Sequence, residues 1–166
     1  MSTAYHNLSS YDPASLPSAE PFRFAVLTAE WNREITSALK EGALSLLQKC
    51  GAKKENIHSV DVPGSFELTA AAALFAAQQK FDAIICLGCV VQGETRHFEF
   101  ICNGVANGLS SVSVTYKVPV IFGVLTTDTM TQAVDRAGGQ HGNKGIEAAV
   151  TALKMAELKR VISGNE

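Results

Sequence analysis

The sequence lacks a long apolar run and an excess of basic charge. No apolar run in the 166 residues reaches the roughly 20 residues that a membrane-spanning helix needs, and the amino terminus lacks the basic, apolar and cleavage-site series of a secretory signal. Lysine and arginine number 14 against 16 aspartates and glutamates, a net charge of −2, so no positive surplus is available to neutralise phosphates. We therefore expect a cytoplasmic protein with neither a nucleic-acid nor a membrane partner.

Three nucleotide and hydrolase motifs are also missing. The sequence contains no G-x-x-x-x-G-K-[ST] loop, no G-x-S-x-G elbow and no G-x-G-x-x-G after the first predicted strand. The first absence excludes a Walker-type nucleotide hydrolase, and the other two leave a serine hydrolase or a dinucleotide dehydrogenase without support.

Cysteine is scarce, and its four copies include one C-x-x-C pair, Cys86 and Cys89. This spacing is typical of zinc or redox sites when it occurs in a loop. Here it lies inside the apolar run 83–91, where residues three apart on a strand point to opposite faces. No second cysteine pair or close histidine cluster completes a four-ligand set. We therefore expect packing rather than ligation, and no metal site.

Short apolar runs that alternate with helical patterns predict the fold. The runs are rich in β-branched or aromatic residues and apolar on both sides of the pleat, which favours parallel strands covered on two faces. The alternation predicts an α/β protein, a doubly wound sheet with helices on both faces. Residues 1–21 are polar, contain Pro13, Pro17 and Pro21, and are predicted to be an arm that precedes a domain of residues 22–166. The predicted strands are 22–28, 57–62, 83–91 and 120–125. The first predicted helix has Asn32 as its N-cap and ends before Gly51, and the second covers 65–80 with Ser65 as its N-cap. The other predicted helices cover 98–116, 131–137 and 143–160.

Ligands of doubly wound sheets bind beyond the carboxyl ends of the strands. Polar or aromatic residues lie there in this sequence, and each has a structural explanation beside a functional one. Trp31 can stack on a flat heterocycle or pack on a neighbouring loop. Ser65 and Glu67 can serve ligand groups or simply begin a helix.

The segment 93–97 has the features of a small anion site. Glu94 and Thr95 offer backbone N–H groups and a hydroxyl at the entrance to a predicted helix. His97 follows directly, and an imidazole exchanges protons near neutral pH, although a surface histidine would look the same. Arg136 precedes a glycine-rich turn and can grip a phosphate, or it can be a cation at the end of a helix.

Taken together, five blocks closely resemble the 6,7-dimethyl-8-ribityllumazine synthase family, in the family's order from about residue 22 to 158. The blocks are 31–32, 62–67, 88–99, 119–126 and 136–145. The resemblance implies a single-domain, three-layer α/β/α sandwich with a flavodoxin-like four-stranded parallel sheet. It also implies an enzyme of the penultimate step of riboflavin biosynthesis, which condenses 5-amino-6-(D-ribitylamino)uracil with 3,4-dihydroxy-2-butanone 4-phosphate and releases phosphate and water. No cofactor or metal is expected in this family.

The resemblance also implies a role for each site residue. Trp31 would stack on the pyrimidine, Glu94 (through its backbone) and Thr95 would meet the phosphate, and Arg136 would complete that site from the adjoining subunit. His97 would move protons. The residues that would hold the ring and the ribityl chain are Ser65, Phe66, Glu67, Cys89, Val90, Val91 and Phe122. Lys144 and Glu147 match family positions near the site.

Partners follow from the same resemblance. We expect a homo-oligomer with active sites between adjacent subunits, built from pentamers and, given the short turn at 138–142, assembled into a shell of 60 subunits in the manner of some family members. The amino-terminal arm would add a strand to a neighbour's sheet, and association with riboflavin synthase is a further expectation.

Three other functions compete with this one. A flavodoxin-like binding module would have no need of His97 beside the anion site. A shell protein that has lost activity would be expected to have lost Arg136 or His97. A riboflavin synthase of the archaeal type would act on lumazine itself, and the short turn and the order of the motifs favour the first interpretation.

Overall fold

The computed structural model describes residues 11–12 and 15–164. Its centre is a parallel four-stranded sheet with the strand order β2-β1-β3-β4, and a small antiparallel hairpin, β5–β6, lies outside it. The strands are β1 Phe24–Ala29, β2 Ile57–Val62, β3 Ala83–Val91, β4 Val120–Thr127, β5 Ala137–Gly139 and β6 Gly142–Asn143. The helices are α1 Arg33–Lys49, α2 Leu68–Ala76, α3 His97–Tyr116, α4 Met130–Asp135 and α5 Lys144–Ile162.

Helices cover the sheet on both faces. One core cluster joins the sheet to α1 and α5, and a second joins it to α2 and α3. Cys86 belongs to the second cluster and Cys89 to the first, which confirms that the two thiols point to opposite faces. The three-layer α/β/α prediction is therefore confirmed. No group of three or more potential metal ligands occurs within residues 11–12 and 15–164.

The strands differ in burial according to their place in the sheet. All six residues of β1 are buried, and so are the first seven of β3, because each of these central strands has a neighbour on either side. In β2, at the edge of the sheet, residues 58–61 are exposed. The expectation that every strand is covered on both faces is therefore wrong for β2.

Helix boundaries also depart from the sequence predictions. Asn32 precedes α1 but makes no capping bond, and its backbone is left-handed with φ 56° and ψ 48°. Helix α2 begins three residues after Ser65, which lies in the preceding turn and is not a cap. Asn143 is a true cap of α5, since its side-chain oxygen accepts from the backbone N–H groups of Gly145 and Ile146. The glycine-rich turn before it is the β5–β6 hairpin.

The last part of the predicted arm lies against the domain. Ala19 is fully buried and donates its backbone N–H to the carbonyl of Cys50 at 2.8 Å. Residues 1–10 and 13–14 lie outside the described residues, so the strand that the arm is expected to add to a neighbour's sheet stays a prediction. Among the described helices, none combines the length and the apolar character that crossing a membrane requires.

Candidate active site

The loops after β1, β2 and β3 meet at the carboxyl-terminal end of the sheet, because the strands are parallel and end on the same side. We call this surface the rim; it consists of residues 30–32, 63–67 and 88–97. Ten of the twelve residues predicted for the site belong to it. They are Trp31, Ser65, Phe66, Glu67, Cys89, Val90, Val91, Glu94, Thr95 and His97.

Trp31, in the loop after β1, and Glu67, in the loop after β2, both lie beside the backbone of Gly64. A Cβ built on Gly64 would be 3.4 Å from Trp31 Cδ1 and 2.8 Å from Glu67 Oε2. The indole is at ordinary contact distance from that position, and the end of the Glu67 side chain would have to move to admit a Cβ. The indole is still 72% exposed, so most of its area is free to stack on a planar ligand.

Ser65 and Phe66 contact the neighbouring elements through glycines. The buried Ser65 hydroxyl lies 2.5 Å from the position that a Cβ on Gly88 would take, and it has no hydrogen-bond partner in the described part of the chain. The ring of Phe66 lies 3.0 Å from the corresponding position on Gly104 of α3 and is half exposed. The turn after β2 is thus packed against both β3 and α3.

The end of β3 presents its backbone rather than the Cys89 thiol. Cys89 is 2% exposed and its side chain faces the core, where burial raises the pKa of the thiol to about 11. Its carbonyl accepts a hydrogen bond from Asn32 Nδ2 at 2.9 Å. The half-buried Val90 and Val91 follow at the rim. A ligand at this point would meet Cys89 through the main chain.

The anion segment is open to solvent. Glu94, Thr95 and His97 are all exposed, and His97 is the first residue of α3. Thr95 Oγ1 accepts from the backbone N–H of His97 at 3.4 Å. The backbone N–H of Glu99 bonds to the carbonyl of Arg96 at 3.1 Å. The segment therefore presents a hydroxyl and an imidazole at the start of a helix, the end that favours anions.

Arg136 lies elsewhere, in a group with Lys144 and Glu147 that we call the cation cluster. Arg136 Nη2 is 2.9 Å from Glu147 Oε1, and Lys144 Nζ is 3.3 Å from Glu147 Oε2. Arg136 Nη1 also donates to the carbonyl of His141 across the hairpin. The side chain of Glu147 is 8% exposed and that of Arg136 15%, so both charges are largely withdrawn from water. These bonds set the direction of the guanidinium.

The cation cluster borders a shallow cavity of about 200 Å³ at the free edge of the sheet. Phe122 of β4, Lys144 and Glu147 are among the lining residues, all of which belong to β4 and α5. Phe122 is 38% exposed. Phe122 and Arg136 therefore belong to the edge formed by β4 and α5, whereas the other predicted residues belong to the rim.

Sequence reasoning undervalued Asn32 and Glu147. Asn32 was expected to cap a helix, but it joins its loop to strand β3 instead. Glu147 is buried, and an acid three residues after Lys144, the spacing of an ion pair on a helix, was the available signal.

Comparison with known proteins shows which family the chain is similar to. The family model described as 6,7-dimethyl-8-ribityllumazine synthase matches residues 21–160. A protein of that name from Porphyromonas gingivalis is 55% identical over 161 residues, which is 97% of this chain and 100% of that protein. Another of the same name, from Cytophaga hutchinsonii, is 56% identical over 155 residues, covering 93% of this chain and 97% of the relative.

Proposed function

The chain belongs to the 6,7-dimethyl-8-ribityllumazine synthase family, enzymes of riboflavin biosynthesis, and we propose that it condenses 5-amino-6-(D-ribitylamino)uracil with 3,4-dihydroxy-2-butanone 4-phosphate. The products are 6,7-dimethyl-8-ribityllumazine, inorganic phosphate and water. The observation that supports this proposal is that one chain has both an exposed aromatic side chain at the rim, Trp31, and a cation cluster that ion pairs hold in place at the free edge of the sheet.

In this proposal, each substrate meets groups from both regions. A pyrimidine with a ribityl chain is flat and uncharged over its ring, so it stacks on Trp31 and takes hydrogen bonds from the backbone near Glu67 and Val90. Phe122 closes the ring site from the other side. The butanone phosphate is a small anion, which the donors of Glu94 and Thr95 and the guanidinium of Arg136 attract.

Because these groups are built on different elements, the rim on the ends of β1, β2 and β3 and the cluster on α5 and the turn after α4, we propose that the active site forms between adjacent subunits. The rim of one subunit faces the β4–α5 edge of the next, so that Arg136 reaches the phosphate held by its neighbour's Thr95. Such a contact is head to tail and closes into a ring, here a pentamer. Twelve pentamers would form the proposed shell, and the exposed edge of β2 offers a neighbour's amino-terminal arm a strand to pair with.

His97 supplies proton transfer in this proposal. The amine adds to the ketone, one water leaves, phosphate is eliminated, and ring closure onto the second carbonyl expels a second water, so protons must be both given and taken near neutral pH. General acid–base help is typically worth about 10²- to 10⁴-fold, whereas holding two reactants together is worth about 7 to 11 kcal/mol. Positioning by the two surfaces therefore contributes more than the imidazole does.

Mixed subunits test the shared site. His97→Ala and Arg136→Ala proteins are each assayed alone and after co-refolding at equal amounts, with lumazine absorbance and phosphate release as readouts. If each site takes His97 from one subunit and Arg136 from the next, about a quarter of the sites in a random mixture are intact, and activity returns to about that fraction of wild type. A mixture no more active than its two components would overturn the shared site. A wild-type protein that releases neither product would overturn the enzymatic assignment itself.

A further inference from the structure

Asn32 holds a conformation and a contact that its place before a helix does not require. Its backbone is left-handed, and its side chain makes no capping bond to α1. Instead, Nδ2 donates to the carbonyl of Cys89, a residue 57 positions along the chain, at 2.9 Å. Side-chain amides rarely reach so far along the chain by chance, and this one is partly buried.

The bond continues the sheet beyond its last backbone pair. The register of β1 with β3 ends where Thr28 lies opposite Leu87, while β3 runs on to Val91 beside β4 alone. Without Asn32, the carbonyl of Cys89, two residues past that pair, would have no hydrogen-bond donor on the side of the sheet where β1 lies. The Asn32 amide takes the place of the missing strand donor.

Trp31 lies between this contact and another. On its other side, the backbone N–H of Glu30 donates to the carbonyl of Val62 at 2.8 Å, which fastens the loop to the end of β2. Trp31 is therefore the middle residue of a three-residue loop that is tied to β2 at one end and to β3 at the other. Its indole, although 72% exposed, has a defined backbone beneath it.

We propose that Asn32 is a positioning residue for the stacking platform: it acts through Trp31 by tying the loop to the end of β3. This inference rests on the proposed function, because it assigns the platform to the pyrimidine substrate. Without the amide the loop keeps its tie to β2 and loses its tie to β3. The indole then samples several positions, and the pyrimidine must order it on binding.

The variants separate the amide from the backbone. Asn32→Gly keeps the left-handed conformation available and removes the amide. Asn32→Asp keeps the size and a tolerance of that conformation but turns an acceptor toward an acceptor. Gln79→Gly is the matched control, since Gln79 also has a positive φ, 52°, at the far end of α2.

Two readouts are measured on the assembled protein. The Michaelis constant for the pyrimidine is expected to rise about 3- to 10-fold in Asn32→Gly and Asn32→Asp, the loss of one hydrogen bond, while that for the butanone phosphate stays unchanged. Trp31 is the only tryptophan, so its anisotropy decay reports the loop directly. We expect a larger fast component in both Asn32 variants and a wild-type decay in Gln79→Gly.

Each result decides one question. A wild-type decay in Asn32→Gly would overturn the inference whatever the activity, and so would a changed decay with an unchanged Michaelis constant for the pyrimidine. Equal increases for both substrates would also overturn it, since they would indicate general damage to the site. A wild-type protein that produces no lumazine would instead overturn the proposed function, and the anisotropy comparison would still report whether Asn32 orders the loop.

Discussion

The rim and the cation cluster differ in exposure and in charge. At the rim, an exposed indole, an exposed imidazole and backbone groups surround a surface with little buried charge. In the cation cluster, a guanidinium and an ammonium share one buried carboxylate, which leaves a single net positive charge. In the proposed function, the indole recognises a flat ring by shape and stacking, and the guanidinium recognises an anion by charge. Under that proposal, each region supplies a group that the other lacks.

The largest effect is expected from the cation cluster. Arg136→Ala removes the guanidinium that we propose binds the phosphate, and Lys144 remains paired with Glu147. We expect kcat/KM for the butanone phosphate to fall about 10²- to 10³-fold, the loss typical of truncating one partner of a desolvated charge pair. Arg136→Lys, which keeps the charge without the planar fork, should recover part of it. An unchanged kcat/KM for Arg136→Ala would remove the cluster from the site.

A smaller effect is expected at the rim. His97→Ala should lower kcat about 10- to 10²-fold and leave measurable activity, because His97 is exposed and water can take part in proton transfer. Steady-state rates of lumazine formation measure the loss. Complete loss for His97→Ala, with no loss for Arg136→Ala, would reverse the ranking of the two regions.

Glu147→Gln examines how the cluster is held together. The change removes the carboxylate that Arg136 and Lys144 share inside the protein. Because both cations are only partly exposed, we expect the free energy of unfolding to fall by about 1 to 2 kcal/mol. Glu157→Gln is the matched control on the same helix, where Glu157 pairs with Arg160 near the surface. Chemical denaturation should separate the two variants. Equal stability would mean that the cluster behaves as a surface ion pair.

The smallest effect concerns the thiols beneath the rim. Burial raises the pKa of Cys89 to about 11 and that of Cys86 as well, so these thiols ionise in the unfolded chain before they do so in the folded protein. Their stabilising contribution is therefore complete below about pH 9 and is lost as the pH rises toward 11. We expect Tm to fall by several degrees between pH 8.5 and 10 on this account. Cys89→Ala should show a shallower decline, and an identical slope would contradict the assignment.

Local patterns predicted much of the fold. The bounds of β2 and β3 agree with the prediction, whereas β1 begins two residues and ends one residue later than predicted, and β4 ends two residues later. Errors occurred where a distant contact competes with a local rule. Ser65 looks like an N-cap, but it packs under Gly88 of another strand, so the helix begins later. The exposure of β2 followed from its place at the edge, which composition does not reveal.

The sequence by itself determined that parallel strands alternate with helices, that Trp31, His97 and their neighbours follow the strands, and that Cys86 and Cys89 point apart. Periodicity and turn residues act over a few positions, so these features can be recognised locally. Only the tertiary structure decided that Asn32 ties its loop to β3, that Glu147 holds Arg136, and that Phe122 lines a cavity with Lys144 and Glu147. Those contacts join residues brought together by the packing of the sheet and its helices, and no local pattern encodes which partners will meet.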